Sequence, residues 1–342
     1  MFSIEMDDLG TRLYYVIYSV MFPQGITDLK PRAIMNELQI SDCYEWFSSV
    51  GTGMSKNMNT KQTILERLEM LCFKNDNNTA LEKEAATVLI PLVCGGLASI
   101  HTSRCIYQGK PFTSDILNLY RLSFDFDLLY NMLKFASMLY CKGQYEAAGK
   151  YLTYCEGLLG VLCGNTVVVL ETKQQKQYME KIINTPFKDM LMRYTVFHVI
   201  FTQQDIHCVP QHLVFEMFRT ITDEDRQQRH PENFYEWMDL IVIDTIPFLH
   251  YLQYLTHRQL NQRYRKLVAL FNLAYYISLS ECRGNIDTTL NMLGHCCELE
   301  NNLHLAWLCY IRSLRLYPRH NAANWHVVMI MYQHIHRCRI RL

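Results

Sequence analysis

Residues 290–318 read LNMLGHCCELENNLHLAWLCYIRSLRLYP, and no other stretch constrains the fold as tightly. Leu290, Leu293, Gly294, Cys297, Ala306, Tyr310, Ser313 and Pro318 fall at the spacings of a tetratricopeptide unit. Gly294 and Ala306 are small, so two antiparallel helices can approach closely. Leu290, Leu293, Cys297 and Tyr310 fill the seam between them. Pro318 stops the second helix because it cannot donate to the helical ladder.

A second unit lies earlier, in FASMLYCKGQYEAAGKYLTYC at 135–155. Phe135, Ala136, Leu139, Ala148, Leu152 and Cys155 take the seam positions. Gly143 sits in its turn, where Asn301 sits in the later unit. Repeat arrays need about three units to bury a continuous core. The helical patterns between the two units, near 129–158 and 287–320, are therefore expected to act as degenerate repeats. The predicted fold is all-α, with antiparallel helix pairs stacked as a tetratricopeptide-like array over residues 76–342 and a separate helical segment at 1–75. Such arrays present a concave face to extended or helical peptides.

Local signals fill in the rest. A buried helix over 85–100 is expected to break at Pro91. Thr79, with Glu82 three residues later, fits a capping box. Ser114 to Arg121 is a short helix. Pro186 and Pro210 each start a helix, the first running to about Gln203. Residues 234–256 and 258–279 read as a long pair kinked near Pro247. TVVVL at 166–170 is the one strand-like run, too little for a sheet.

The chain has 342 residues and 49% hydrophobic content, so a large core is available. It carries 33 basic and 33 acidic residues, unevenly placed. From Asn301 to Leu342 there is no acid and there are six arginines: 312, 315, 319, 337, 339 and 341. Arg312, Arg315 and Arg319, at i, i+3 and i+7, are expected on one side of the last repeat helix. They could grip nucleic-acid phosphates or an acidic peptide; the plainer expectation is a solvated end cap of the array. Thirteen cysteines are present, an odd count without framework spacing. Cys94, Cys141, Cys155, Cys296 and Cys309 sit inside apolar helical patterns, as small hydrophobes do. A reducing, cytoplasmic setting follows. Glu5, Asp7 and Asp8 stand where a signal peptide needs basic residues. No apolar run reaches the ~20 residues of a membrane span, so no membrane is expected.

Signals for chemistry are sparse. His295-Cys296-Cys297 offers soft ligands for zinc, but Cys297 belongs to the seam and no matching pair lies nearby. His334, His336 and Cys338 alternate, so on a helix they diverge; a frayed tail is the expectation there. His207-Cys208 reads as a turn entering the next helix. No cofactor and no metal are expected.

Several blocks carry a family resemblance: ELQISDCYEWFSSV (37–50), KQTILERLEMLCF (61–73), EAATVLIPLVCGGLAS (84–99), LKFASMLYCKGQYEAA (133–148), HCVPQHLVFEMFRTITDEDR (207–226), WMDLIVIDTIPFLHYLQYLTHRQLNQ (237–262), LGHCCELE (293–300) and NAANWH (321–326). Together, in this order, they resemble the C-terminal helical region of molluscan male-abnormal (mab-twenty-one-like) proteins, relatives of cyclic GMP-AMP synthase-like receptors. The resemblance implies that residues 1–75 correspond to the tail of that family's catalytic half. Family enzymes pair a Gly-Ser loop with metal-holding acids, and this chain has no Gly-Ser dipeptide. Glu5/Asp7 and Asp125/Asp127 have acid-x-acid spacing but follow no such loop. The expectation is a non-catalytic protein-interaction module with a protein partner. The alternative is a fragment of a nucleotidyltransferase-like nucleic-acid sensor that makes cyclic dinucleotides.

Overall fold

The computed structural model describes residues 80–124, 129–162, 198–219, 240–278 and 285–339. Nine α-helices lie among them: α1 Ala80–Tyr107, α2 Ser114–Ser123, α3 Leu129–Cys141, α4 Tyr145–Leu162, α5 Thr245–Gln259, α6 Arg263–Ser278, α7 Ile286–Leu299, α8 Leu303–Leu316 and α9 Ala323–Arg339. The fold is all-α. Helices α1/α2, α3/α4, α5/α6 and α7/α8 pack as successive pairs. The first helix of each pair touches the first helix of the next, and α9 ends the series. The second helices α4, α6 and α8 each pack on the following first helix. The odd-numbered helices thus form an inner row and the even-numbered helices an outer row.

One turn recurs at the end of four inner helices. Gly109, Gly143, Asn261 and Asn301 all have positive φ, between 56° and 78°. After α3, the Gly143 amide donates to the Tyr140 carbonyl (2.9 Å) and Gln144 to Leu139 (2.9 Å). Asn261 to Arg258 (3.2 Å) with Gln262 to His257 (2.9 Å), and Asn301 to Glu298 (2.8 Å) with Asn302 to Cys297 (2.9 Å), repeat the pattern. These are left-handed helix caps that satisfy the last carbonyls, and Gly or Asn tolerates the conformation at least cost.

Gly294 is a true close approach. A Cβ there would stand 2.5 Å from the ring of Tyr310 on α8. Ala136, Ala148 and Ala306 are fully buried in their seams. Helix α5 lies at the centre of the array, with Phe248, Leu249, Tyr251, Leu252 and Tyr254 all without exposure. Each such side chain contributes about 1.5–3 kcal/mol on burial.

Several expectations are corrected. Helix α1 runs through Pro91 without ending there. Asn131 of α3 donates to the Pro91 carbonyl (3.0 Å), which ties α3 to α1 at this point of the helix. Residues 199–201 are not helical: they form strand β1, Val199–Phe201, antiparallel to β2, Ile241–Ile243. Their side chains are buried apart from the half-buried Val242, a setting that favours β-branched residues in extended form. A 3-10 helix, Gln203–Cys208, follows β1, and a second, Gln211–Phe218, follows Pro210 where an α-helix was expected. Pro247 does not kink a helix. It sits in the first turn of α5, where its missing amide proton costs nothing. The tail is not frayed at His334–Cys338, because α9 continues to Arg339. Thr79, residues 166–170, both acid-x-acid pairs and Arg341 lie outside the described residues.

Candidate functional site

The face of the inner row is closed by the chain itself. Residues 198–219, with β2, lie across it and touch every inner helix. On α1, Ser99 donates to Asp205 (3.0 Å) and Ser103 accepts from the His207 amide (3.2 Å). On α3, Ser137 donates to the Cys208 carbonyl (2.7 Å). On α5, Phe248 packs edge-on against Phe201 at 5.8 Å between ring centres. On α7, Asp287, Thr288 and Asn291 reach Arg219 and Glu216. On α9, Trp325 donates to the Phe218 carbonyl (2.7 Å). A concave face open to a peptide was expected; here it is filled, because these inner-row polar groups already have intramolecular partners.

Lys134 is the hub of this closure. It is buried on α3 and donates to Asp205 (2.6 Å) and to the Ile200 carbonyl (2.9 Å). Asp205 also accepts from the Thr202 amide (2.5 Å) and hydroxyl (2.9 Å), in a capping box that starts the first 3-10 helix. Burial opposes the Lys134 charge, but Asp205 and the Tyr130 hydroxyl beside it hold its pKa above the ordinary lysine value. Every strong bonding direction of this carboxylate is taken, so it is a clamp rather than a free base.

Arg219 forms a second clamp. Its guanidinium meets Asp287 (2.7 Å), Glu216 (2.7 Å) and the Thr288 hydroxyl (2.6 Å). Burial opposes its charge, and the two carboxylates raise its pKa and keep it charged. Burial pushes the Glu216 carboxyl up against the opposing pull of the same guanidinium.

Three histidines stack between these elements. The ring of His212, from the second 3-10 helix, lies between His295 of α7 and His326 of α9, at 3.8 Å on each side and nearly parallel. Tyr251 bonds His295 at Nδ1 (2.7 Å). Tyr310 reaches His212 at Nε2 (3.3 Å) and donates to Glu298. Burial lowers all three imidazoles: His295 to about 4, His326 to about 3, and His212 well below its usual value. A metal must lie in the plane of each ligating ring, and parallel rings share no plane. No group of three His, Cys, Asp or Glu among the described residues is placed to hold a metal. Cys296 and Cys297 instead pack into the core beside the half-buried His295, and the Cys297 thiol bonds that of Cys309 across the α7–α8 seam. The Cys141 and Cys155 thiols are pushed up to about 12 by burial, which removes them as nucleophiles at neutral pH.

The predicted arginines are placed differently. Arg312 and Arg315 are exposed on α8. Arg319 is exposed too but lies beyond Pro318, after α8 ends at Leu316, so the three do not share one helix face. Of the seam residues, Leu290, Cys297, Ala306, Tyr310 and Ser313 are buried, Leu293 is half-buried, and Pro318 is exposed after the helix stop.

The outer row remains open. Helix α6 buries only Ala269, Leu273 and Ile277. It exposes Tyr264, Leu267, Val268, Phe271 and Tyr275. Leu305 and Leu308 on α8 are also exposed, and so are Val328, Met331 and Tyr332 on the terminal helix α9, on which no further pair packs among the described residues. The sequence signal for α6 was present: RYRKLVALFNLAYYIS holds more apolar residues than one seam can use. Lys134 too was conspicuous as the one charged residue of LYNMLKFASMLYC. Neither signal identifies the neighbour. No helix among the described residues is long and apolar enough to cross a membrane. No family model, no curated protein and no solved structure matches the chain.

Proposed function

We propose that the chain is a protein-interaction module, a tetratricopeptide-like array without catalysis of its own, working in a reducing, cytoplasmic setting. The observation that carries the reading is the division between the two faces. The inner row is closed by buried clamps, while the outer helices α6 and α8 and the terminal helix α9 expose apolar side chains in rows. Exposed apolar rows of this kind mark association surfaces. Aromatic residues, enriched where partners bind, supply part of them. The resemblance to the helical region of mab-twenty-one-like proteins is compatible with this, since the Gly-Ser loop of the family enzymes is missing from the chain.

The test is quantitative affinity capture from cells. The wild-type chain is compared with variants in which exposed apolar residues of α6, α8 or α9 are made polar, such as Phe271→Ser, Leu308→Ser and Val328→Ser. At least one variant should lose a set of proteins that the wild type retains. Identical protein lists for the wild type and all three variants would overturn the reading.

A further inference from the structure

We propose that the outer face of α6 is a docking site for an amphipathic helix of another protein, and that this helix carries carboxylates at one end. The inference rests on the interaction reading above and specifies its surface and the chemistry of its partner. Tyr264, Leu267, Val268, Phe271 and Tyr275 follow one helical stripe, exposed by 80, 45, 39, 67 and 54%. Residues at i, i+3, i+4, i+7 and i+11 share a face. The Phe271 and Tyr275 rings are already stacked, 6.1 Å apart and 10° from parallel, so part of the surface is pre-organised. Rows of this periodicity are what a helical ligand reads.

Charge selects among the possible occupants. Arg263, Arg265 and Lys266 crowd the first turn of α6. A helix N-terminus carries partial positive charge, so cations there disfavour the helix itself. Lys266 is paired with Glu300 at 2.5 Å, whereas Arg263 and Arg265 are exposed and make no ion pair with the described residues. From Thr245 to Ser280 the chain contains no Asp or Glu. The apolar stripe therefore ends in two cations that no carboxylate of the α5–α6 pair and no ion pair among the described residues matches, and an external carboxylate complements them. A second copy of the chain is disfavoured, because α6 placed against α6 brings no acid to the arginines. A membrane surface is disfavoured as well. A helix lying on a bilayer carries cations along its polar face, but here they cluster at one end and Leu267–Ser278 is uncharged.

Three synthetic helical peptides test this by fluorescence anisotropy with the purified full chain. Each is 16 residues long, like α6. The first has a leucine/phenylalanine stripe and three glutamates in its first turn. The second replaces the glutamates with lysines, and the third replaces the stripe with serines. The first should bind about tenfold or more tighter than either of the others, a difference of ~1.4 kcal/mol. Phe271→Ser should abolish that binding. Arg263→Glu/Arg265→Glu should weaken the acidic peptide and strengthen the lysine peptide, a reversal that misfolding cannot produce. Equal binding of acidic and basic peptides, or no effect of charge reversal, overturns the proposal. So does a dimer in sedimentation that Phe271→Ser dissolves, which assigns the face to a second copy. Co-sedimentation with phosphatidylserine vesicles, lost in both variants, assigns it to a membrane and also overturns the proposal. Proteins captured from cells by the wild type and retained by both α6 variants would leave the interaction reading standing and reject this surface alone.

Discussion

At the scale of single residues, the fold depends on a few positions where size or charge admits one solution. Gly294 is one. Alanine has the higher helix propensity by about 1 kcal/mol, yet a Cβ at Gly294 would meet the buried Tyr310 ring at 2.5 Å. Gly294→Ala is expected to lose about 1–3 kcal/mol by overpacking. Gly157→Ala on α4 is the control: nothing lies within 4 Å of its Cβ, so it should gain up to ~1 kcal/mol. Urea unfolding of both variants checks the pair, and a shift of both midpoints in the same direction would refute the close approach.

The histidine stack sets a pH dependence at the same scale. His212, His295 and His326 are depressed below the ordinary 6.5 in the folded chain. The unfolded chain therefore binds their protons first. Their contribution to stability is complete above about pH 6.5 and is lost progressively as pH falls from there through about 4 for His295 and about 3 for His326. With three protons the slope is at most ~4 kcal/mol per pH unit. Melting temperature measured between pH 8 and 5, on the order of a three-unit span around these values, should be flat and then fall. His326→Phe, at a site where neither ring nitrogen has a partner, should flatten the fall by about a third. A variant as steep as the wild type would remove the stack as the cause.

At the scale of elements, the recurring turn shows best what local sequence fixes. Gly143 and Asn301 are legible as turn residues because few other residues adopt positive φ cheaply, and Asn261 repeats the device between α5 and α6. The segment β1 to Phe218 is the opposite case. Its apolar run suggested a helix. It became a strand and two 3-10 helices because Lys134, Ser137, Ser99 and Ser103 supply bonding partners from distant helices. Lys134→Met should therefore destabilise the protein strongly, by about 3–5 kcal/mol, since Asp205 is left buried without its counter-charge. Lys134→Met/Asp205→Leu should recover part of that loss. Thermal melts of the single and double variants decide it, and additive losses would show that the two residues do not act as a pair.

At the scale of the whole molecule, the closed inner face changes how the array behaves. Open repeat arrays are held by neighbour contacts alone and can unravel unit by unit. Here residues 198–219 bridge α1, α3, α5, α7 and α9, so units far apart in sequence share one core. Hydrogen exchange is expected to show β1, α3, α5 and α7 opening together, at one free energy. A ladder of separate protection levels from one end of the array to the other would refute the coupling.

The sequence by itself determined the helical class, the small residues at the α7–α8 seam, the turns at Gly143 and Asn301, and the stop at Pro318. All of these depend on contacts within a few residues or on one antiparallel pair, where spacing and side-chain size carry the information. Only the tertiary structure decided that the inner face is filled, that Lys134 and Arg219 are buried clamps, that three histidines from distant elements stack, and that α6 keeps its apolar stripe outside. Such features join residues about 70 to 110 positions apart. No local periodicity encodes which distant carboxylate a buried cation will meet, because that choice is made by the packing of whole elements.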